Sequence, residues 1–130
     1  MLVDSHCHLD LIDDHLGGVE QLLANAAERD ISHFLCVCVG LENADTVRAL
    51  AEQHSNVFAS AGIHPNHVVD EAIDSEQLLT LAAPAAVVAV GETGLDYFRS
   101  DNARQQQEQL AMHVGVAREL RKPLIIHMRD

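Results

Sequence analysis

Residues 86–96 read Ala-Val-Val-Ala-Val-Gly-Glu-Thr-Gly-Leu-Asp. The first five are small or β-branched apolar side chains with no alternation, the pattern of a strand buried on both faces. The next six change character at once: two glycines frame a carboxylate, and a second carboxylate follows. The same succession, an apolar strand that ends in polar residues, recurs along the chain. Residues 2–8 form a first strand closed by His6 and His8. Residues 33–39 (HFLCVCV) form a second, and residues 57–63 (VFASAGI) form a third that ends in Gly62-Ile63-His64-Pro65. Residues 124–127 form a fifth, continued by Met128-Arg129-Asp130.

Helical spacing fills the intervals. Val19, Leu22, Leu23, Ala26 and Ala27 predict a helix over 18–29, and Val47, Leu50 and Ala51 predict a second that ends near His54. Asp74 with Gln77 makes a capping pair for a third helix through about residue 82. Asn102 with Gln105 opens the longest, with Leu110, Val114, Ala117 and Leu120 on one face and Pro123 at its stop. Apolar strands alternating with helices specify a parallel sheet covered by helices, an α/β fold. No linker or low-complexity segment interrupts it, so residues 1–130 read as part of one domain.

Composition narrows the function. Twenty Asp and Glu against eight Lys and Arg give a formal net charge of −12. Such a chain has no general basic footprint for polyanions; if it acts on nucleic acid, bound metal ions and a few local Arg side chains would have to hold the phosphates. No apolar run approaches the roughly 18 residues that cross a bilayer, and the N-terminus has no secretory-signal pattern. No membrane partner is expected. Cys7, Cys36 and Cys38 are odd in number and sit in strands, which points to reduced thiols in the cytoplasm. Cys36 and Cys38 read as buried small hydrophobes, not as a soft-metal site.

The polar residues share one end of the sheet. His6 and His8, two apart on a strand, point to the same side, while Cys7 points away. His6, His8, Glu92 and His127 at the C-terminal strand ends would converge on the active-site face of a β/α barrel, as a hard-metal or zinc site. Gly91 and Gly94 would let the backbone approach a ligand closely. Arg129, two beyond His127, faces the same side and is a candidate phosphate clamp. His64, fixed by Pro65, would either contact a ligand or substrate or make only a structural hydrogen bond. Asp96 is either a backbone-capping carboxylate or a substrate-binding contact. Asp10 organises the loop after the first strand. Asn66, His67, His15, His33, His54 and His113 receive no chemical role.

Asp-Ser-His-Cys-His-Leu-Asp at 4–10, Gly-Ile-His-Pro-Asn at 62–66, Val-Gly-Glu-Thr-Gly-Leu-Asp-Tyr at 90–97 and Lys-Pro-Leu-Ile-Ile-His-Met-Arg-Asp at 122–130 resemble the TatD-type deoxyribonucleases. These belong to the metal-dependent amidohydrolase-like hydrolases. The resemblance spans essentially the whole chain. It implies a TIM-type (β/α)8 barrel of which this chain carries about the first five strands. It implies two divalent metal ions (magnesium, manganese or zinc) and hydrolysis of DNA phosphodiester bonds from single-stranded 3′ ends through a metal-activated water. By position, His6 and His8 bind the first metal, Glu92 bridges the two, and His127 binds the second; Glu92 and His64 are the catalytic residues, with Arg129 and Asp96 on the substrate side.

The family also draws a His after the sixth strand and an Asp after the eighth, and a whole barrel takes about 250 residues. The chain is therefore expected to be the N-terminal portion of one barrel domain, inactive as a truncation or prone to self-association through open edges. The alternatives are metal-dependent hydrolysis of another ester or amide, and a non-enzymatic metal-binding assembly fragment.

Overall fold

The computed structural model describes residues 1–68, 73–99 and 101–130. Five strands and four helices alternate: β1 (Leu2–Cys7), α1 (Gly18–Ala27), β2 (Ile31–Cys36), α2 (Leu41–Gln53), β3 (Val57–Ala61), α3 (Ser75–Ala82), β4 (Val87–Asp96), α4 (Ala103–Leu120) and β5 (Leu124–Arg129). Two short 3₁₀ turns, Leu9–Leu11 and Asp14–Leu16, follow β1. The strands form one sheet in the order β1-β2-β3-β4-β5, every pair parallel. This is the β/α succession of the sequence reading, laid down as five consecutive units of a barrel wall.

The core lies where strands meet helices. Val57, Ala59, Val87 and Val90 from the sheet pack with Val47 of α2, Leu78 of α3, and Val116 and Ala117 of α4. Cys36 and Cys38 are buried within it, as small hydrophobes should be. The edge strands differ: Leu2 and Val3 on β1, and Ile126 and Met128 on β5, are exposed.

Two local expectations change. The strand expected over 86–90 continues to Asp96, because residues 93–96 keep pairing with β5 through Thr93↔Ile126, Gly94↔His127, Leu95↔Met128 and Asp96↔Arg129. Gly91 and Gly94 also make room for the neighbouring strand β5. Both have positive φ, and a Cβ on Gly91 would lie 2.5 Å from the Ile125 carbonyl oxygen, while one on Gly94 would overlap that of His127. The second change concerns α4. Its buried face carries Gln106, His113, Val116 and Ala117, while Leu110 and Val114 are half-buried. Asn102 caps the start, but its side chain accepts from Gln106 Nε2 (2.8 Å), not from the Gln105 position. The Asp74–Gln77 capping pair forms as expected, with Gln77 N–H donating to Asp74 Oδ1 at 2.8 Å and Asp74 N–H donating to Gln77 Oε1 at 2.9 Å.

His113 replaces an apolar residue in the core because it satisfies two groups at once. Its Nδ1–H donates to the Gln109 carbonyl (2.7 Å), and its Nε2 accepts from Ile63 N–H at the end of β3 (3.0 Å). That pairing needs the neutral ring, and burial lowers its pKa from the ordinary 6.5, the Gln109 hydrogen bond opposing in part. The unfolded chain therefore binds a proton near 6.5 that the native state refuses, so stability is complete above that pH and falls as pH drops below it. His64, lowered likewise, adds to the slope. Thermal melting followed from about pH 7 to 5 should show a falling Tm. His113→Gln, which keeps one donor and one acceptor, should flatten that slope; an unchanged slope would contradict the assignment.

Candidate metal centre

The C-terminal ends of the strands gather the site. Between Val90↔Leu124 and Thr93↔Ile126, three steps on β4 face two on β5, so one extra residue is accommodated at Gly91–Glu92. Such a bulge bends a strand and re-aims its side chains. The close approach is general here: a Cβ on Gly62 would lie 2.5 Å from Gly91 Cα. Across that gap Glu92 N–H donates to the Cys38 carbonyl (2.8 Å). Ser60 Oγ accepts from Cys38 N–H (3.0 Å) and donates to the Gly91 carbonyl (2.6 Å). Glu92 is thereby pinned, and its side chain is largely buried.

The two carboxylate oxygens of Glu92 face different imidazoles. Oε2 lies 3.5 Å from His6 Nε2, and Oε1 lies 3.1 Å from His127 Nδ1. Two triads share this carboxylate: His6, His8 and Glu92 on one side, and His64, Glu92 and His127 on the other. Within each, the potential ligand atoms lie within 4.8 Å of one another. Neutral imidazoles and a carboxylate, a nitrogen and oxygen donor set, suit a divalent cation of the zinc or manganese type. The donor chemistry thus fits the metals that the sequence implies.

The hydrogen bonds distinguish the histidines. His8 Nδ1–H donates to the Val37 carbonyl at 3.2 Å, which leaves the Nε2 lone pair for a ligand. His64 has the opposite tautomer, because its Nδ1 accepts from Asn66 N–H at 3.2 Å and its proton resides on Nε2. Burial, and then the neighbouring His127, lower the His64 pKa from 6.5, against the pull of Glu92. His64 is thus a neutral ring that presents an N–H and has no free lone pair, so within the second triad Glu92 and His127 are the donors open to a cation. Cys7 takes no part. Its thiol donates to the Leu35 carbonyl, and burial together with Asp4 pushes its pKa up to about 12.

His127 bridges two carboxylates. Besides Glu92, it reaches Asp96 Oδ2 with Nε2 at 3.2 Å. Glu92 and Asp96 are four apart on β4, and the residue between them that pairs with His127 is Gly94. With no side chain there, the ring spans the gap, in edge contact with His64 at 4.3 Å between centroids. Asp96 is 1% exposed. It accepts from Asn66 Nδ2 (3.2 Å) and from Arg99 N–H (3.0 Å). Burial alone would raise its pKa; the hydrogen bonds from Arg99, Asn66 and His127 outweigh burial and hold the carboxyl below its ordinary value. Asp96 therefore sits beside His127, buried, and caps the following turn. An ionised Asp96 beside Nε2 fixes the orientation of the ring and leaves Nδ1 as the nitrogen that faces Glu92.

Arg129 lies at the rim, its guanidinium 4.2 Å from the Phe98 ring centroid. Asp10 accepts from Asn43 Nδ2 (2.9 Å) and orders the loop after β1, as expected. A cleft of ≈ 200 Å³ opens beside His8, Asp10 and Leu11. Sequence reasoning assigned nothing to Asn66 or Gln106. Yet Asn66 supports both His64 and Asp96, and Gln106 holds the Asp96 backbone from both sides (2.8 and 3.1 Å). A Gln on the buried stripe of α4 was the available signal for the latter; Asn66 carries none in a single sequence.

The model of the family described as TatD related DNase matches residues 3–130. An uncharacterized metal-dependent hydrolase of Escherichia coli K12, YcfH, is 44% identical over 99% of this chain and 49% of its own length. A 3'-5' ssDNA/RNA exonuclease TatD of Shigella flexneri is 31% identical over 85% of this chain and 44% of its own. The crystal structure of YjjV, a TatD homologue from E. coli K12, superposes with a TM-score of 0.85 at 32% identity, covering 99% of this chain and 51% of that one. The chain spans about half the length of the curated relatives it matches.

The buried carboxylate behind His127 yields a direct test. Asp96→Asn removes the charge that holds Nε2 as donor, and divalent-ion affinity should fall about 10- to 100-fold. Calorimetric titration with manganese or zinc measures it, with circular dichroism as the fold control. Unchanged affinity in a folded variant would sink the positioning role.

Proposed function

The chain belongs to the family of TatD-related DNases, and on that premise we propose that it supplies the metal-binding, N-terminal portion of a single-barrel phosphodiesterase. Its substrate is the 3′ end of single-stranded DNA. The observation that carries this reading is the division of Glu92 between two imidazole sets, one oxygen toward His6 and the other toward His127. A carboxylate so shared suits two cations at close range, with His6 and His8 on one and His127 on the other. The nucleic-acid substrate takes its support from the exonuclease named among the relatives.

Bound divalent ions, magnesium, manganese or zinc, would supply Lewis acidity toward a phosphoryl oxygen and a water. The chain's own residues do the rest. Glu92 holds fixed negative charge between the histidines and offsets part of the cationic charge. His64, neutral with its proton on Nε2, donates a hydrogen bond into the site. Such a donor stabilises charge that develops on a phosphoryl oxygen without giving up its proton. Arg129 stands at the rim with donors for a phosphate. In a chain of net charge −12, these local groups must hold a polyanion that the overall field repels. Three free cysteines, all in or beside the sheet, agree with work in the cytoplasm.

Digestion of a 5′-labelled single-stranded oligonucleotide by the natural full-length protein tests the reading. A ladder that shortens from the 3′ end with manganese or magnesium, and disappears with EDTA or in His6→Ala, is expected. His64→Ala should slow the reaction about 100-fold or more, the loss typical of one preorganised donor. Metal uptake without any cleavage would contradict the nuclease reading, and cleavage in EDTA would contradict the metal centre.

A further inference from the structure

We infer that Phe98 is a stacking platform for a nucleobase of single-stranded nucleic acid, braced on its covered face by Arg129. The inference rests on the proposed nucleic-acid substrate and says how an acidic protein selects it. The chain holds three Phe, one Tyr and no Trp. Phe34 is in the core at 3% exposure, whereas Phe98 is 65% exposed beside a half-exposed Tyr97. An isolated exposed aromatic would need no explanation. This one is not isolated: the Arg129 guanidinium lies 4.2 Å from its ring centroid, so a cation covers one face of a ring that is still 65% exposed.

The ring is also held in a fixed relation to the metal centre. It stands on the turn at 97–99, directly after β4. Tyr97 N–H donates to the Arg129 carbonyl (2.9 Å). The Tyr97 hydroxyl accepts from Gln107 Nε2 (2.9 Å), which ties that ring to α4. Arg99 N–H donates to Asp96 Oδ1 (3.0 Å), and the other oxygen of the same carboxylate bonds His127. One buried carboxylate thus orients a metal-site histidine and the turn that carries Phe98. The Arg129 side chain makes no ion pair among the described residues, so its charge is available to the phosphate of a base stacked on the ring.

Physical chemistry favours this occupant. The chain cannot gather a polyanion by long-range charge, but stacking on an aromatic face needs no charge and accepts any base. It does need the base to be unpaired, since a base within a duplex keeps its faces stacked on its neighbours. An exposed ring braced by Arg therefore favours single strands over duplexes without reading sequence.

Fluorescence anisotropy on the natural full-length protein, with manganese present, tests the platform. The probes are a labelled phosphorothioate oligothymidylate and a strand of equal length and charge whose sugars are abasic. Phe98→Ala should weaken thymidylate binding about tenfold and leave the abasic strand unaffected, while Phe98→Trp should restore wild-type affinity. Equal thymidylate affinity in wild type and Phe98→Ala would overturn the platform alone, and so would an equal loss on both strands. A wild type that binds neither strand would overturn the platform together with the nucleic-acid reading beneath it.

Discussion

The His127 ring, held between Glu92 and Asp96 over a glycine, is the contact on which the rest of the site depends. On β4 the two carboxylates lie four residues apart, and Gly94 between them pairs with His127 of β5. Any side chain at 94 would meet the His127 backbone. The ring would then lose its place between Oε1 of Glu92 and Oδ2 of Asp96. The bulge at Gly91–Glu92 sets this register. Without the extra residue, β4 would present its opposite face, and both carboxylates would point away from the histidines.

From this contact the surroundings follow in two directions. Toward the first triad, Glu92 Oε2 reaches His6, and His8 is fixed by the Val37 carbonyl with its Nε2 free. Toward the rim, Asp96 ties His127 to Asn66, to the turn at 97–99 and, through its backbone, to Gln106 of α4. Burying a carboxylate is costly unless it is well hydrogen-bonded. Asp96 meets that condition through several donors. Glu92 in contrast faces imidazoles, groups that can share a cation with it. The two carboxylates thus differ in their surroundings, Asp96 among hydrogen-bond donors and Glu92 between two imidazole sets, a division set by their partners and not by residue type.

Much of this was legible in the sequence because it is periodic or punctuated. Unbroken apolar runs separated by helical spacing specified the parallel sheet, and the Asp74–Gln77 pair marked the start of α3. The His-x-His spacing placed two imidazoles on one face. Residues 91–96 were misread in one respect. Their glycines and carboxylates look like a loop, and only the pairing with β5 makes them a strand, in which Gly91 and Gly94 leave room for the β5 backbone. The inward face of α4 was also rotated, since Gln106 and His113 are buried for hydrogen bonds that apolar periodicity does not register. Whether Asp96 would cap or contact was open in the sequence; the partners that surround its carboxylate, Asn66 and His127, are distant in the chain and left no mark on the local pattern.

The most direct measurement is anomalous scattering from crystals of the natural full-length protein grown with manganese. The account predicts two peaks, one beside each oxygen of Glu92, with His6 and His8 near one and His127 near the other. A lone ion held by only one of the histidine sets, or ions that leave Glu92 untouched, would contradict it.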